Sequence, residues 1–144
     1  MKKILLFIMS IFTVGATLAQ TVDDFSFVPP ITDNNMSVVF PAGSFTDFAG
    51  GILQAYVAGV PVSTASEIAA DGSGGIAVIG TDNLCDCDLA SSGDQIDFAI
   101  LVDGEFIVMI DFDPPITYSS NGFVVVNESL TFLNQDGSCY SDVD

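Results

Sequence analysis

Histidine and tryptophan are absent from this chain, and its only cationic side chains, Lys2 and Lys3, stand at its very beginning. Arginine does not occur. From residue 4 onward every charged side chain is a carboxylate: sixteen Asp and three Glu. These gaps exclude a good deal of chemistry. Without His there is no Ser-His-Asp or Cys-His relay and no imidazole zinc site. Without Lys or Arg in the body of the chain there is no Schiff base, no P-loop lysine and no guanidinium fork for phosphate. Nucleic acid and anionic lipid surfaces both call for cationic side chains, so neither is expected as a partner. Salt bridges between side chains cannot form in this body. Its self-repulsion must be offset by screening ions, bound cations or packing.

The two lysines belong to a leader. They precede a largely apolar run over 4–18, and Thr17 and Ala19 put small residues at the two positions a signal peptidase reads. The run is shorter than the roughly 18–20 residues of a spanning helix. Residues 1–19 are therefore read as a secretory signal cleaved after Ala19. The expected destination is extracellular or cell-surface, with no membrane insertion of the mature chain. Residues 20–133 are expected to form a single domain. Residues 134–144 read as a polar, Cys-containing tail that could open a further segment.

High acidity alone can signal disorder, but twelve Phe and a mean hydropathy of +0.56 argue for a buried core. No long stripe of apolar residues at helical spacing is present; 66–70 could hold one short turn of helix. Instead, short runs rich in Val, Ile and Phe alternate with Gly, Asp, Asn, Ser and Pro. That spacing predicts an all-β fold, an antiparallel β-sandwich of jelly-roll or Ig-like type. The clearest hairpin joins 95–102 to 106–112 across Asp103-Gly104, a pair suited to a type I′ turn. A two-residue turn would set Val102 against Glu105 and Ile100 against Ile107. Both faces of this hairpin near the turn are mostly apolar. It must lie between two layers, or be covered on one face by a neighbouring module or subunit. A second hairpin is expected over 52–63, turning at Ala58-Gly59, with Pro61 placing its return strand at a sheet edge.

The carboxylates leave one catalytic route, a pair cleaving a glycoside. Glu67, Glu105 and Glu128 are the only glutamates, and no spacing brings two together. The expectation is that the protein is not an enzyme. The densest polar cluster is Thr81-Asp82-Asn83-Leu84-Cys85-Asp86-Cys87-Asp88. Oxygen ligands at alternate positions suit a hard cation, so Asp82, Asp86, Asp88 and Asp94 are candidate Ca2+ ligands. The loop lacks the Gly and Glu of an EF-hand, and a solvated acidic turn is the plainer reading. Cys85, Cys87 and Cys139 are the disulfide candidates in an oxidising compartment. Cys85 and Cys87 are close for a mutual bridge. Cys139 closing onto one of them would tie the tail to the acidic loop and leave one thiol over.

The order of several short motifs resembles a β-rich module of secreted multidomain proteins of Bacteroidota. The resemblance spans roughly residues 25–133. It rests on Asn35-Met36-Ser37-Val38, on Ile76-Ala77-Val78-Ile79-Gly80-Thr81-Asp82 and on Gly93-Asp94-Gln95-Ile96-Asp97-Phe98. Gly50-Gly51-Ile52-Leu53 departs from the pattern by lacking an acidic residue. Asp136-Gly137-Ser138-Cys139 resembles acidic, calcium-type repeats of similar proteins. The resemblance implies a surface or matrix component without known catalysis, and no particular ligand. The expected role is structural, adhesive or binding, with Ca2+ as the only cofactor in view. Other extracellular modules or subunits, or a polysaccharide, are the expected partners. The alternatives are a self-assembling fibre or matrix subunit and a carbohydrate-binding module, the latter weakened by the missing Trp.

Overall fold

The structure is a computed structural model that describes residues 20–82 and 87–141. Its strands are β1 (Asn35–Phe40), β2 (Ile52–Val57), β3 (Val60–Pro61), β4 (Ser66–Glu67), β5 (Gly74–Ile79), β6 (Gln95–Val102), β7 (Phe106–Asp111), β8 (Ile116–Thr117), β9 (Phe123–Val125) and β10 (Thr131–Asn134). The helical content of the described residues is two 3-10 turns, Val22–Ser26 and Thr46–Phe48. A three-stranded sheet runs β5-β1-β9, and a larger sheet runs β10-β7-β6-β2-β3, with β4 against β2 and β8 against β6. The fold is all-β, as the run spacing predicts. Two sheets with mostly antiparallel strands make the expected β-sandwich, with β9 joining β1 in parallel. Residues 66–67 are a strand rather than a helical turn, pairing with Ile52 and Leu53.

Period-two alternation builds the core. Met36, Val38 and Phe40 of β1 and Ile76 and Val78 of β5 point inward, while their neighbours in sequence point out. From the larger sheet they meet Leu53 and Ala55 of β2, Ile96, Phe98 and Ile100 of β6, and Val108 and Ile110 of β7. Aromatic rings fill the space between the sheets. Phe40 lies 4.7 Å from Phe45 and 5.6 Å from Phe98 between ring centroids, and Phe98 lies 5.4 Å from Phe112. Phe40, Phe45 and Phe98 are fully buried, and each stabilises the fold by about 1.5–3 kcal/mol through removal of apolar area from water.

The hairpin at Ala58-Gly59 forms as expected. Both residues have positive φ, Val57 pairs with Val60, and Pro61 lies in the last strand of its sheet. The chain beyond it then joins the two sheets. Val62 donates its N–H to the Ala55 carbonyl (2.9 Å), and Ile79 donates to the Val62 carbonyl (2.8 Å). This closes the sandwich along one side.

The β6–β7 hairpin corrects the expected register. Asp103 and Gly104 do adopt positive φ, and Glu105 donates to the Val102 carbonyl (3.1 Å) as in a type I′ turn. Yet Val102 pairs with Phe106 and Ile100 with Val108, one residue beyond the two-residue-turn register. Glu105 is left over as a bulge. The reason lies in β7 itself. A one-residue slip exchanges the two faces of a strand. The expected register would send Ile107, Met109 and Asp111 inward. The observed one sends Val108 and Ile110 inward and leaves Asp111 exposed.

On the outer face of this hairpin the segment around Phe25 packs against the sheet. Tyr56, Ala99, Leu101 and Ile107 form a second buried cluster beneath Phe25, and the Phe25 and Tyr56 rings meet edge-on at 6.4 Å. A polar pair sits beside it. The Gln54 amide donates to the Ser63 carbonyl (2.9 Å), Ser63 Oγ donates to Gln54 Oε1 (3.1 Å), and Ala55 donates to Ser63 Oγ (3.0 Å). Gln54 also donates to the Asp24 carbonyl (3.2 Å), which anchors the segment.

Candidate functional site

The acidic loop leaves the end of β5 and returns beside it. Gly80 and Ala90 form a parallel bridge, Thr81 donates to the Ala90 carbonyl (2.9 Å) and Ala90 donates to the Ile79 carbonyl (3.2 Å). Leu89 and Ala90 are buried, so two apolar residues pin the returning limb. Of the candidate cation ligands, Asp86 lies outside the described residues, as does Cys85. Asp82 is half-buried and engaged in an interaction of its own. Asp88 is exposed and borders a cleft of about 220 Å3 that is otherwise lined by Val57, Ala58, Val60, Val62 and Leu89. Asp94 closes the next turn: Ser91 donates its N–H to Asp94 Oδ2 (2.8 Å), and Asp94 donates back to the Ser91 carbonyl (2.9 Å). Among the described residues, no three His, Cys, Asp or Glu side chains gather in a geometry that could hold a metal ion.

Of the disulfide candidates, the structure separates Cys87 from Cys139. Cys87 is disulfide-bonded, whereas Cys139 is free and exposed, so the tail is not tied to the acidic loop. Packing holds the tail instead. Asn134 donates to the Ser138 carbonyl (2.8 Å) and Tyr140 donates to the Phe132 carbonyl (2.9 Å), folding 135–140 back along β10. The Tyr140 ring lies 5.4 Å from Phe48. Polar composition hid this one aromatic anchor.

Two turns share a sequence and a geometry that spacing alone did not single out. In Asp71-Gly72-Ser73, the Asp71 carboxylate accepts from the Ser73 amide (2.9 Å) and hydroxyl (2.6 Å). In Asp136-Gly137-Ser138, Asp136 accepts from the Ser138 amide (2.9 Å) and hydroxyl (2.6 Å). Both glycines have positive φ, which places the Ser over the carboxylate. Hydrogen bonds to the ionised form hold both carboxyls below their ordinary value of 3.8. These acids serve as turn closures.

Among the described residues, the Tyr56 and Tyr118 hydroxyls are buried without a hydrogen bond of standard geometry. Burial pushes the Tyr56 phenol well above 10, and the neighbouring Asp24 carboxylate adds to the shift. Burial also raises Tyr118, partly offset by Ser120. The phenol of Tyr118 occupies the space where a Cβ on Gly80 would stand, so Gly80 is required by this close approach.

The three glutamates are exposed and stand apart in the chain: Glu67 on β4, Glu105 on the hairpin bulge and Glu128 after β9. A cleft of about 420 Å3 between Pro41–Ser44 and Val126–Leu130 contains Glu128 as its one charged residue. Another, of about 430 Å3, lies beside the hairpin tip and contains only Glu105. A single carboxylate in a cleft supplies an acid or a base, but not the pair that glycoside hydrolysis uses. No described helix is long and apolar enough to cross a membrane. No family model, curated protein or solved structure matches the chain.

Proposed function

We propose that this chain is an exported, non-catalytic β-sandwich module of the cell surface or extracellular matrix, with a structural, adhesive or binding role and an acidic surface neutralised by divalent cations such as Ca2+. One observation carries the reading: beyond Lys3 the chain has no basic side chain of any kind, and its nineteen carboxylates are its entire charge. Such a surface attracts cations and lacks the His and Lys bases, nucleophile partners and anion clamps on which many enzymes rely. Carboxylates that close their own turns, such as Asp71, Asp94 and Asp136, favour a scaffolding use of acid groups. The leader over 1–19 supports export, and the resemblance to modules of secreted Bacteroidota proteins supports the surface setting. Candidate ligands for the cation are Asp82, Asp86, Asp88 and Asp94. Partners of this reading are neighbouring extracellular modules or polysaccharide.

The reading is tested by melting the purified chain in millimolar Ca2+ and in chelator at equal ionic strength. A ligand that binds only the folded state raises its melting temperature by mass action. A rise with Ca2+ beyond that produced by NaCl is expected. Superimposed curves would remove the cation from the proposal, and turnover of any substrate would remove the non-catalytic role.

A further inference from the structure

The three-stranded sheet carries no charge. No residue of β1, β5 or β9 is acidic or basic, although the rest of the chain is dense in carboxylates. Its outward face presents Val39, Ala77, Phe123 and Val125 with Ser37 and Gly75. Phe123 and Val125 remain 68 % and 42 % exposed, so β9 places two large apolar side chains in water. β9 is also an edge. Its bonds to β1 use the Gly122 carbonyl, which accepts from Ser37 (2.9 Å), and the Val126 amide, which donates to Val39 (2.9 Å). Backbone direction alternates along a strand, so the amides and carbonyls of Phe123 and Val125 are aimed away from β1. Other edges are managed. The segment after β3 bonds to β5, and residues 138–140 fold back along β10. Among the described residues β9 is left with an unpaired backbone and an apolar face, the combination that invites another strand.

We propose that β9 pairs antiparallel with β9 of a second copy of this chain, joining two three-stranded sheets into one continuous sheet about a two-fold axis. In that register Val124 faces its own counterpart. Phe123 of one copy lies against Val125 of the other on the outer face, an isologous contact made twice. Charge selects this occupant. A basic partner would seek the carboxylates, and this sheet has none. Two copies of a chain so strongly negative repel each other over most approaches. They come together with least repulsion where neither bears an acid, and the charge-free stretch around β9 runs from Pro114 to Asn127. This deepens the module reading by naming its contact surface. Loss of self-association would leave the non-catalytic role standing.

Charge of one sign also gives the pairing a signature. Because neither copy contributes a cationic side chain, screening must strengthen the dimer, whereas it would weaken contact with a basic partner. Sedimentation equilibrium of the purified chain from Gln20 to Asp144, which contains every described element, reads this directly. Raising ionic strength from about 0.02 M to about 0.5 M shortens the screening length several-fold and is expected to tighten dimerisation at least tenfold. Phe123→Glu or Val125→Glu should weaken it at least tenfold with an unchanged melting temperature, since both side chains are exposed. Val22→Glu, at an exposed apolar position away from β9, should leave it unchanged. A monomer at every salt concentration would overturn the proposal. So would association that fades with salt, or equal sensitivity to Val22→Glu.

Discussion

Ser63 and Tyr56 are buried polar residues that behave differently, and the difference is measurable. Ser63 is fully satisfied and satisfies others: it accepts from Ala55, donates to Gln54, and its carbonyl takes the Gln54 amide. Ser63→Ala strands a buried N–H and an amide oxygen, and should cost about 1–3 kcal/mol in denaturant unfolding. Tyr56 carries a buried hydroxyl that makes no good hydrogen bond beside a carboxylate. Tyr56→Phe keeps the ring and removes that liability, so it should be neutral or stabilising by up to about 1 kcal/mol. Spectrophotometric titration should show the Tyr56 phenol resisting ionisation past the ordinary range. Gly80→Ala should destabilise by about 2 kcal/mol, since the added methyl meets the buried Tyr118 ring. None of these was legible in the sequence, because each depends on residues brought together from distant parts of the chain.

Strands and turns were far more legible. The Asp103-Gly104 and Ala58-Gly59 turns declare themselves by residue type, and Pro61 declares its edge, because φ and hydrogen-bond capacity are local properties. Register was not settled by the turn. It was settled by which face of β7 could be buried, and Glu105 was extruded to allow it. Deleting Glu105 should therefore turn β7 over, drive Asp111 toward the core and abolish cooperative melting, while Glu105→Gln should melt close to the native chain. The parallel β1–β9 pairing and the covering N-terminal segment were also hidden, since neither leaves a local signal. Phe25→Ala should cost about 1–2 kcal/mol, as expected for a half-buried ring, and expose apolar surface detectable with a hydrophobic dye. Of the candidate cation loop, the sequence showed its density of acids. It did not show that Asp94 closes its own turn or that Cys139 stays free.

For the whole molecule the governing fact is charge of one sign around an uncharged core. Two effects then oppose each other as pH falls. Protonating solvated carboxylates relieves self-repulsion and should stabilise the fold. Asp71 and Asp136, whose folded values are depressed, act in the other direction. Their contribution is fully present above the ordinary carboxylate value of 3.8 and is lost as pH falls through their lower folded values. Stability should thus rise on mild acidification and fall only at stronger acid.

Melting temperature against pH at low ionic strength puts this to the most direct test. An increase from pH 7 to about 4.5 is expected, flattened by about 0.5 M NaCl, with decline setting in below the ordinary Asp value of about 3.9. A steady fall over that first interval, insensitive to salt, would mean that the ionised carboxylates hold the fold together and do not strain it.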